Sequence, residues 1–298
     1  MVSGRFALSR RTRRAVAGYS FAAPATLLLV VFSFIAIIWS FVLSLYQFHW
    51  LQPDERVFVG FDQYATVFTT PLFWKSMRNT AQYVGLLVPS VAIISLLLAV
   101  AGNQISTGRA VFRTLFFIPH ITPTVVLSLI WIWLYEPTGG INHILGLVGL
   151  PKPNWLLSEF LAMPAIVILS VWAAIGFYMV IFLAGIADIP SVFYEAARVD
   201  GANRWHTFRY ITVPLLVNTI AFVLITMVIG AFQVFTYVYI MTQGGPINAT
   251  IVVQWMIYHN AFEIFKMGYA AAMSWVLFGV IFFFTAVQLK VFRSRQLY

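Results

Sequence analysis

The sequence of 298 residues contains no cysteine and few charged residues. Without cysteine, a disulfide framework and a thiolate metal site are both excluded. Charged types make up 9% of the chain and hydrophobic types 61%, whereas soluble proteins carry about 25% charged and roughly 45–50% apolar residues. So little charge cannot cover the surface of a soluble protein of this size. The composition therefore predicts an integral membrane protein.

The sequence also lacks any Gly-Lys pair, and with it the GxxxxGK[ST] loop that binds nucleotide phosphates. No nucleophile with a partner base is recognisable, and the five histidines show no metal-ligand spacing. We therefore expect no catalytic residues, no metal site and no cofactor in this chain. The net charge of +9 belongs to loops flanking apolar runs rather than to a nucleic-acid surface.

Six stretches without Asp, Glu, Lys or Arg are long enough to cross a membrane, which takes about 20 apolar residues. The first stretch is too long for a signal peptide, whose apolar region has about 7–15 residues. After the turn at 243–248, the segment 249–262 is too short to cross, so we expect an outer loop with a partly re-entrant helix. The predicted spans are about 19–45, 80–101, 112–135, 163–186, 214–241 and 268–290.

The distribution of charge predicts the orientation of these spans. With both termini in the cytoplasm, 13 Lys and Arg lie on the inside and 5 on the outside, while three acidic residues lie inside and six outside. This agrees with the excess of positive charge that cytoplasmic loops carry. We expect a basic tail at 1–18, one transmembrane domain at 19–292 with an inner loop at 188–213, and an inner tail at 293–298.

The inner loop 188–213 contains signals for two short helices. Asp188 or Ser191 can cap the first, and Gly201 suits the left-handed conformation that ends a helix. Asn203 can cap the second. Small residues of the first helix would let a partner's backbone approach closely, and its few charges would add contacts, which suits docking into a groove. An amphipathic helix lying in the membrane interface fits the same residues equally well.

The same loop resembles the EAA motif of permease subunits in binding-protein-dependent ABC importers. That motif has EAA, three residues, Gly, nine residues, Ile, two residues and Pro; the residue before Pro is Leu in many members and Val213 here, a conservative change. Segments at 58–64, 116–119, 130–135, 242–246 and 268–272 resemble the sugar-uptake branch, so the resemblance covers about 19–292. The motif residues are Glu195, Ala196, Ala197, Gly201, Ile211 and Pro214.

The resemblance implies an all-α membrane fold of the type I ABC importer permease, with six transmembrane helices and a cytoplasmic coupling helix. It implies a permease subunit that moves a sugar or sugar-like solute across a bacterial inner membrane. Its implied partners are a second, related permease, a solute-binding protein outside, membrane lipid, and a cytoplasmic ATPase dimer that holds ATP and Mg²⁺. The implied ATPase-docking residues are Glu195, Ala196, Ala197, Asp200 and Gly201.

Polar residues within the spans are candidates for the solute pathway, because they are costly in a membrane and often functional. Gln233 and Tyr237 are four residues apart and would share a helix face, where an amide and a phenol could bind sugar hydroxyls. An interhelical hydrogen bond is the alternative. Asn218, Ser274 and Trp275 are further candidates.

An ion-coupled secondary transporter is the competing function. That class usually carries charged residues inside its spans and inverted repeats, and neither is evident here. Aromatic residues of the outer segments 46–79 and 136–162 fit an interfacial belt, and they also fit a docking face for a solute-binding protein.

Overall fold

The computed structural model describes residues 10–105 and 107–293, and most of them are helical. The predicted tail residues 1–9 and 294–298 lie outside the described residues. The elements are α1 (Arg10–Ser44), β1 (Tyr46–His49), β2 (Gln52–Phe58), α2 (Asp62–Thr69), α3 (Pro71–Gln104), α4 (Arg109–Ile121), α5 (Thr124–Tyr135), α6 (Gly140–Leu147), α7 (Ala162–Ala187), α8 (Ser191–Val199), α9 (Arg204–Thr207), α10 (Val213–Leu215), α11 (Val217–Phe232), α12 (Thr236–Met241), α13 (Val253–Tyr258) and α14 (Met267–Arg293).

Six segments of the described chain have the length and apolar composition of membrane spans, which confirms the predicted fold class. Three of them are single helices in the bundle, α3, α7 and α14, and α1 is continuous through a π-helical stretch at Val30–Phe34. The six segments are Arg10–Ser44, Pro71–Gln104, Thr124–Leu147, Ala162–Ala187, Val217–Met241 and Met267–Arg293.

The third predicted span, 112–135, is not one helix. α4 ends at Ile121 and α5 begins at Thr124, with Thr122 in an extended conformation at ψ 134°. Proline at position 123 causes the break, because its ring clashes with a helical conformation of the preceding residue. The apolar segment with the properties of a span is displaced accordingly, to Thr124–Leu147.

The core of the bundle lies where α7 packs against α3, α4 and α11. More than half of the most apolar part of α7 is buried, while Ile168, Trp172 and Val180 remain exposed. The hydroxyl of Ser95 on α3 donates to the carbonyl of Ile175 on α7 at 3.0 Å, and Tyr135 on α5 donates to Ala165 at 2.9 Å. Such interhelical bonds add specificity where apolar packing alone is non-directional.

A glycine in α7 permits α7 and α4 to cross closely in the core. A Cβ placed on Gly176 of α7 would collide with the carbonyl of Phe116 on α4. Only a residue without a Cβ therefore allows α4 to lie against α7 at this depth.

One end of the bundle carries the antiparallel β1–β2 hairpin and is called the hairpin end; the other carries α8 and is called the α8 end. At the hairpin end, Trp50 donates from its backbone to Phe265 at 3.1 Å, which ties the hairpin to the loop before α14. Asn79 donates to the carbonyls of Asn248 and Ile251 at 3.0 and 2.9 Å. These bonds fix the loop 242–252 against α3.

Candidate functional site

A cavity of about 350 Å³ lies inside the bundle, between α3, α4, α5, α7, α11 and α12. Its polar lining consists mainly of hydroxyl groups. The lining residues that carry a hydroxyl or an imidazole are Tyr83, His120, Thr122, Thr124, Ser170, Tyr178, Thr236 and Tyr237.

Helical spacing on α7 explains one wall of this cavity. Ser170, Ala174 and Tyr178 are separated by four residues each and therefore lie on one face of the helix. Ala174 leaves space between the two polar side chains. Along this face of the cavity, a polar side chain is therefore followed by a small one and then by a second polar side chain.

The break before α5 explains the opposite wall. Because the chain leaves the helical conformation at Thr122, Thr122 and Thr124 both reach the cavity, together with His120. The imidazole of His120 stacks on Phe177 with ring centroids 4.5 Å apart. The imidazole therefore packs against Phe177 and also contributes to the cavity lining.

The lining of this cavity contains no Asp, Glu, Lys or Arg. Hydroxyl groups donate and accept hydrogen bonds, so they suit a ligand that itself carries several hydroxyls. An ionic group here would find no counter-charge among the lining residues. The chemistry of the cavity therefore favours a neutral, hydroxyl-rich solute.

The structure separates the two main pathway candidates. Tyr237 lines the cavity, whereas Gln233 is exposed and its amide donates to the carbonyl of Ile229 at 3.1 Å. The expected common helix face does not form, because α11 ends at Phe232 and the chain leaves helical geometry at Phe235, with φ −139°. Four-residue spacing predicts a shared face only within an unbroken helix.

The other three candidates lie away from the cavity lining. Asn218 is exposed near the start of α11. Ser274 donates to the carbonyl of Ala270 within its own helix at 2.9 Å. Trp275 packs edge-on against Phe41 of α1, with ring centroids 5.1 Å apart.

Sequence reasoning missed most of the lining residues. Tyr83 and Ser170 are each only 3% exposed, but a lone hydroxyl in an apolar run gives little signal. The periodic spacing of Ser170, Ala174 and Tyr178 could have indicated a polar face. Nothing in the sequence shows that this face meets Tyr83 across the bundle.

At the α8 end, the loop 188–213 forms the expected short helices. α8 ends in a Schellman motif, in which Ala202 donates to the carbonyl of Ala197 at 2.9 Å and Gly201 to that of Arg198 at 3.1 Å. Gly201 has φ +75°, the left-handed conformation that this motif requires. Asn203 caps α9 through a bond from the backbone of His206 at 2.9 Å. Neither Asp188 nor Ser191 provides a side-chain cap for α8.

Only one of the implied docking residues faces inward. Ala197 is 5% exposed, whereas Glu195, Ala196, Asp200 and Gly201 are exposed. Ala197 is therefore the buried member of this set, and the remaining four lie on the accessible surface.

A cleft of about 670 Å³ separates α8 from the end of α3 and from the segment 204–212. Glu195, Arg198 and Arg204 line this cleft. On the outer surface of α8, Val192 is 60% exposed and Val199 88% exposed. A short helix that projects apolar side chains beside charged ones has the surface of a docking element.

Within the described residues, no group of three or more His, Asp or Glu is arranged to hold a metal ion. His259 and Glu263 form a close acid–base pair on the surface, with Nδ1 and Oε2 2.7 Å apart. This pair lies at the hairpin end, beyond the cavity lining.

A family profile described as "Binding-protein-dependent transport system inner membrane component" matches residues 7–295. The chain is 35% identical over 280 residues to the probable ABC transporter permease protein YesP of Bacillus subtilis, covering 92% of this chain and 90% of that one. It is 34% identical over 285 residues to the trehalose/maltose transport system permease protein MalF of Thermococcus litoralis, covering 95% and 96%.

The lactose transport system permease protein LacF of Rhizobium radiobacter is 32% identical over 288 residues, covering 94% of this chain and 95% of that one. Among solved structures, a chain of a bacterial ABC transporter involved in import of the acidic polysaccharide alginate has a TM-score of 0.83 at 24% identity, covering 96% of this chain and 98% of that one. This likeness concerns the fold.

Proposed function

Since this chain belongs to the family of binding-protein-dependent transport system inner membrane components, we propose that it is the passive permease subunit of an ABC importer for a neutral sugar. The observation that carries the proposal is the uncharged, hydroxyl-lined cavity of about 350 Å³ inside the bundle. The solute would cross through this cavity while a separate ATPase supplies the energy.

Two relatives support a sugar as the solute. The names of MalF and LacF give trehalose or maltose and lactose as their solutes, and all of these are neutral disaccharides. Hydroxyl groups on several cavity walls would exchange hydrogen bonds with such a ligand as it loses water. A carboxylated sugar would meet no cation among the residues that line the cavity.

For coupling, α8 would dock into the cytoplasmic ATPase. Its exposed residues Ala196 and Gly201 would allow close approach, while Glu195 and Asp200 add charged contacts. The Schellman motif holds Gly201 at a fixed place after the helix. A change in the ATPase would then move α8 and, through the hydroxyl of Tyr194, which meets that of Thr212 at 3.3 Å, the start of the fifth span.

The complete importer would place the α8 end in the cytoplasm, together with both termini. A second, related permease would complete the pathway, an ATPase dimer would hold ATP and Mg²⁺, and a solute-binding protein would deliver the sugar at the hairpin end. The excess of positive charge in segments at the α8 end supports this orientation.

Uptake into vesicles tests the source of energy. We expect the chain, reconstituted with its ATPase, second permease and binding protein, to accumulate sugar only with internal ATP and Mg²⁺. Collapsing ion gradients with ionophores should leave uptake unchanged. The ion-coupled alternative predicts the opposite pair of results, so uptake that stops with ionophore and ignores ATP would contradict the proposal.

A further inference from the structure

A cluster of aromatic rings adjoins the cavity towards the hairpin end. Phe235 stacks on Tyr239 with ring centroids 5.1 Å apart and meets Tyr258 at 4.9 Å. Tyr239 and Tyr258 are 5.3 Å apart, and Tyr258 meets Phe262 at 5.2 Å. These four residues are called the aromatic platform.

The platform is continuous with the cavity through one residue. Phe235 belongs to the cavity lining and also contacts two other platform rings. Phe262, at the far end, is 58% exposed. A row of rings therefore runs from an exposed position to the wall of the proposed solute cavity.

The platform carries polar groups that a purely apolar packing surface lacks. Tyr239 and Tyr258 are half-buried. A hydrogen bond with Tyr239 is the largest of the causes that raise the pKa of Tyr258 above its ordinary value. Each of these two tyrosines thus offers an apolar ring face and, beside it, a hydroxyl that can donate or accept a hydrogen bond.

A sugar ring matches these two features. The C–H groups on one face of a pyranose carry slight positive charge and are attracted to the negative face of an aromatic ring. The hydroxyls around its rim would bond to the phenols. Glu263, next to Phe262 in the chain, presents a carboxylate that accepts hydrogen bonds from hydroxyls and repels anionic sugars.

We propose that Phe235, Tyr239, Tyr258 and Phe262 form an outer sugar-binding site that receives a neutral pyranose ring before it enters the cavity. This inference rests on the proposed function, because it assumes that a sugar passes through the cavity. The site is a second one on the route, and it adjoins the hydroxyl-lined cavity at Phe235.

The test uses the complete reconstituted importer. The probe is the sugar that its binding protein retains from a mixture of maltose, trehalose, lactose and diacetylchitobiose. The measured quantity is sugar transported per ATP hydrolysed. Tyr239→Leu and Tyr258→Leu remove the ring faces, and we expect each to lower this ratio about fivefold to tenfold, as the loss of one ring contact would.

Two further variants show whether the ring face is responsible. Tyr258→Phe keeps the ring and should retain most of the ratio. Tyr19→Leu changes an exposed tyrosine on α1 (77% exposed), remote in sequence from the platform, and should behave like the unaltered chain. If Leu and Phe at position 258 give the same ratio as the unaltered chain, the platform is packing only and the inference is wrong.

A labelling experiment gives independent evidence if a leucine variant fails to assemble. Because the chain has no cysteine, Tyr258→Cys introduces a single thiol into it. We expect a membrane-impermeant maleimide to label this thiol, and sugar-loaded binding protein to slow labelling more than sugar-free binding protein. Equal protection by the two forms, or no labelling at all, would overturn the outer site.

The outcomes separate the two proposals. If the binding protein retains none of the four sugars and ATP drives no uptake of them, the proposed function fails and the outer site fails with it. If ATP-driven uptake is intact but the leucine and cysteine variants behave as packing residues, only the outer site is wrong.

Discussion

The carbonyl oxygen of Phe116 occupies the place that a side chain at position 176 would need. Even a methyl group there would collide with the backbone of α4, and a backbone cannot move aside as a flexible side chain can. The contact between α4 and α7 therefore depends on the absence of one carbon atom.

This contact predicts a large effect for a small change. Gly176→Ala should destabilise the bundle by about 1–3 kcal/mol, the usual cost of overpacking, and lower the midpoint of thermal unfolding in detergent. Gly279→Ala is the matched control, because a Cβ at Gly279 meets nothing within 4 Å. Equal midpoints for the two variants would contradict the close crossing.

A second residue-scale prediction concerns the two polar side chains beside the break in the fifth span. Tyr237 lines the cavity and Gln233 does not. Removing one hydrogen-bonding group by Tyr237→Phe should slow uptake about 2- to 10-fold, and Gln233→Ala should have a smaller effect. Uptake by the reconstituted importer at saturating binding protein measures both; a larger loss for Gln233→Ala would contradict the assignment of the cavity.

At the scale of elements, α8 buries only one narrow face. Ala197 is buried, the Schellman motif closes the helix, and most other side chains of α8 are exposed. Such an element can present a partner with a defined surface without being part of the core.

This arrangement predicts that docking can be lost without loss of the fold. Space around Gly201 is open, so Gly201→Asp adds a charge to the docking surface and strains only a left-handed position that Asp tolerates better than most residues. We expect a protein that inserts normally but does not retain the ATPase in a pull-down. Asn154→Asp, at an exposed position in the loop between α6 and α7, controls for added charge. Normal association of the Gly201 variant would count against the docking role.

At the scale of the whole molecule, the positions of the loops follow from six crossings. The hairpin, the loop before α7 and the loop before α14 share one end, and the loop containing α8 lies at the other. At the hairpin end, Lys75 of α3 donates to the carbonyl of Ile247 at 2.6 Å, which joins the start of α3 to the loop 242–252.

The orientation gives a prediction that uses the absence of cysteine. In intact cells permeable only across the outer membrane, an impermeant maleimide should label Asp62→Cys at the hairpin end but not Asp188→Cys, just before α8. Both positions are exposed, so disrupting the membrane should make the second reactive as well. Labelling in the reverse order would invert the assignment of the two faces.

Several features of this protein were determined by the sequence alone. Long uncharged, apolar runs require a membrane environment. They form helices there, because backbone groups in lipid must be hydrogen-bonded within the segment. The fold class and the family follow from these runs and from the spaced motif at 195–214. Gly201 and Asn203 end and begin helices as predicted, because caps depend on residues close in the chain.

The tertiary structure decided what depends on distant residues. The sequence did not indicate that Gln233 turns away from Tyr237, or that Asn79 holds a loop 169 residues further on. Nor did it bring Tyr83 and Ser170 to one cavity. The physical reason is that periodicity and capping act within a few residues, whereas a cavity is defined by side chains that meet only when separate helices pack.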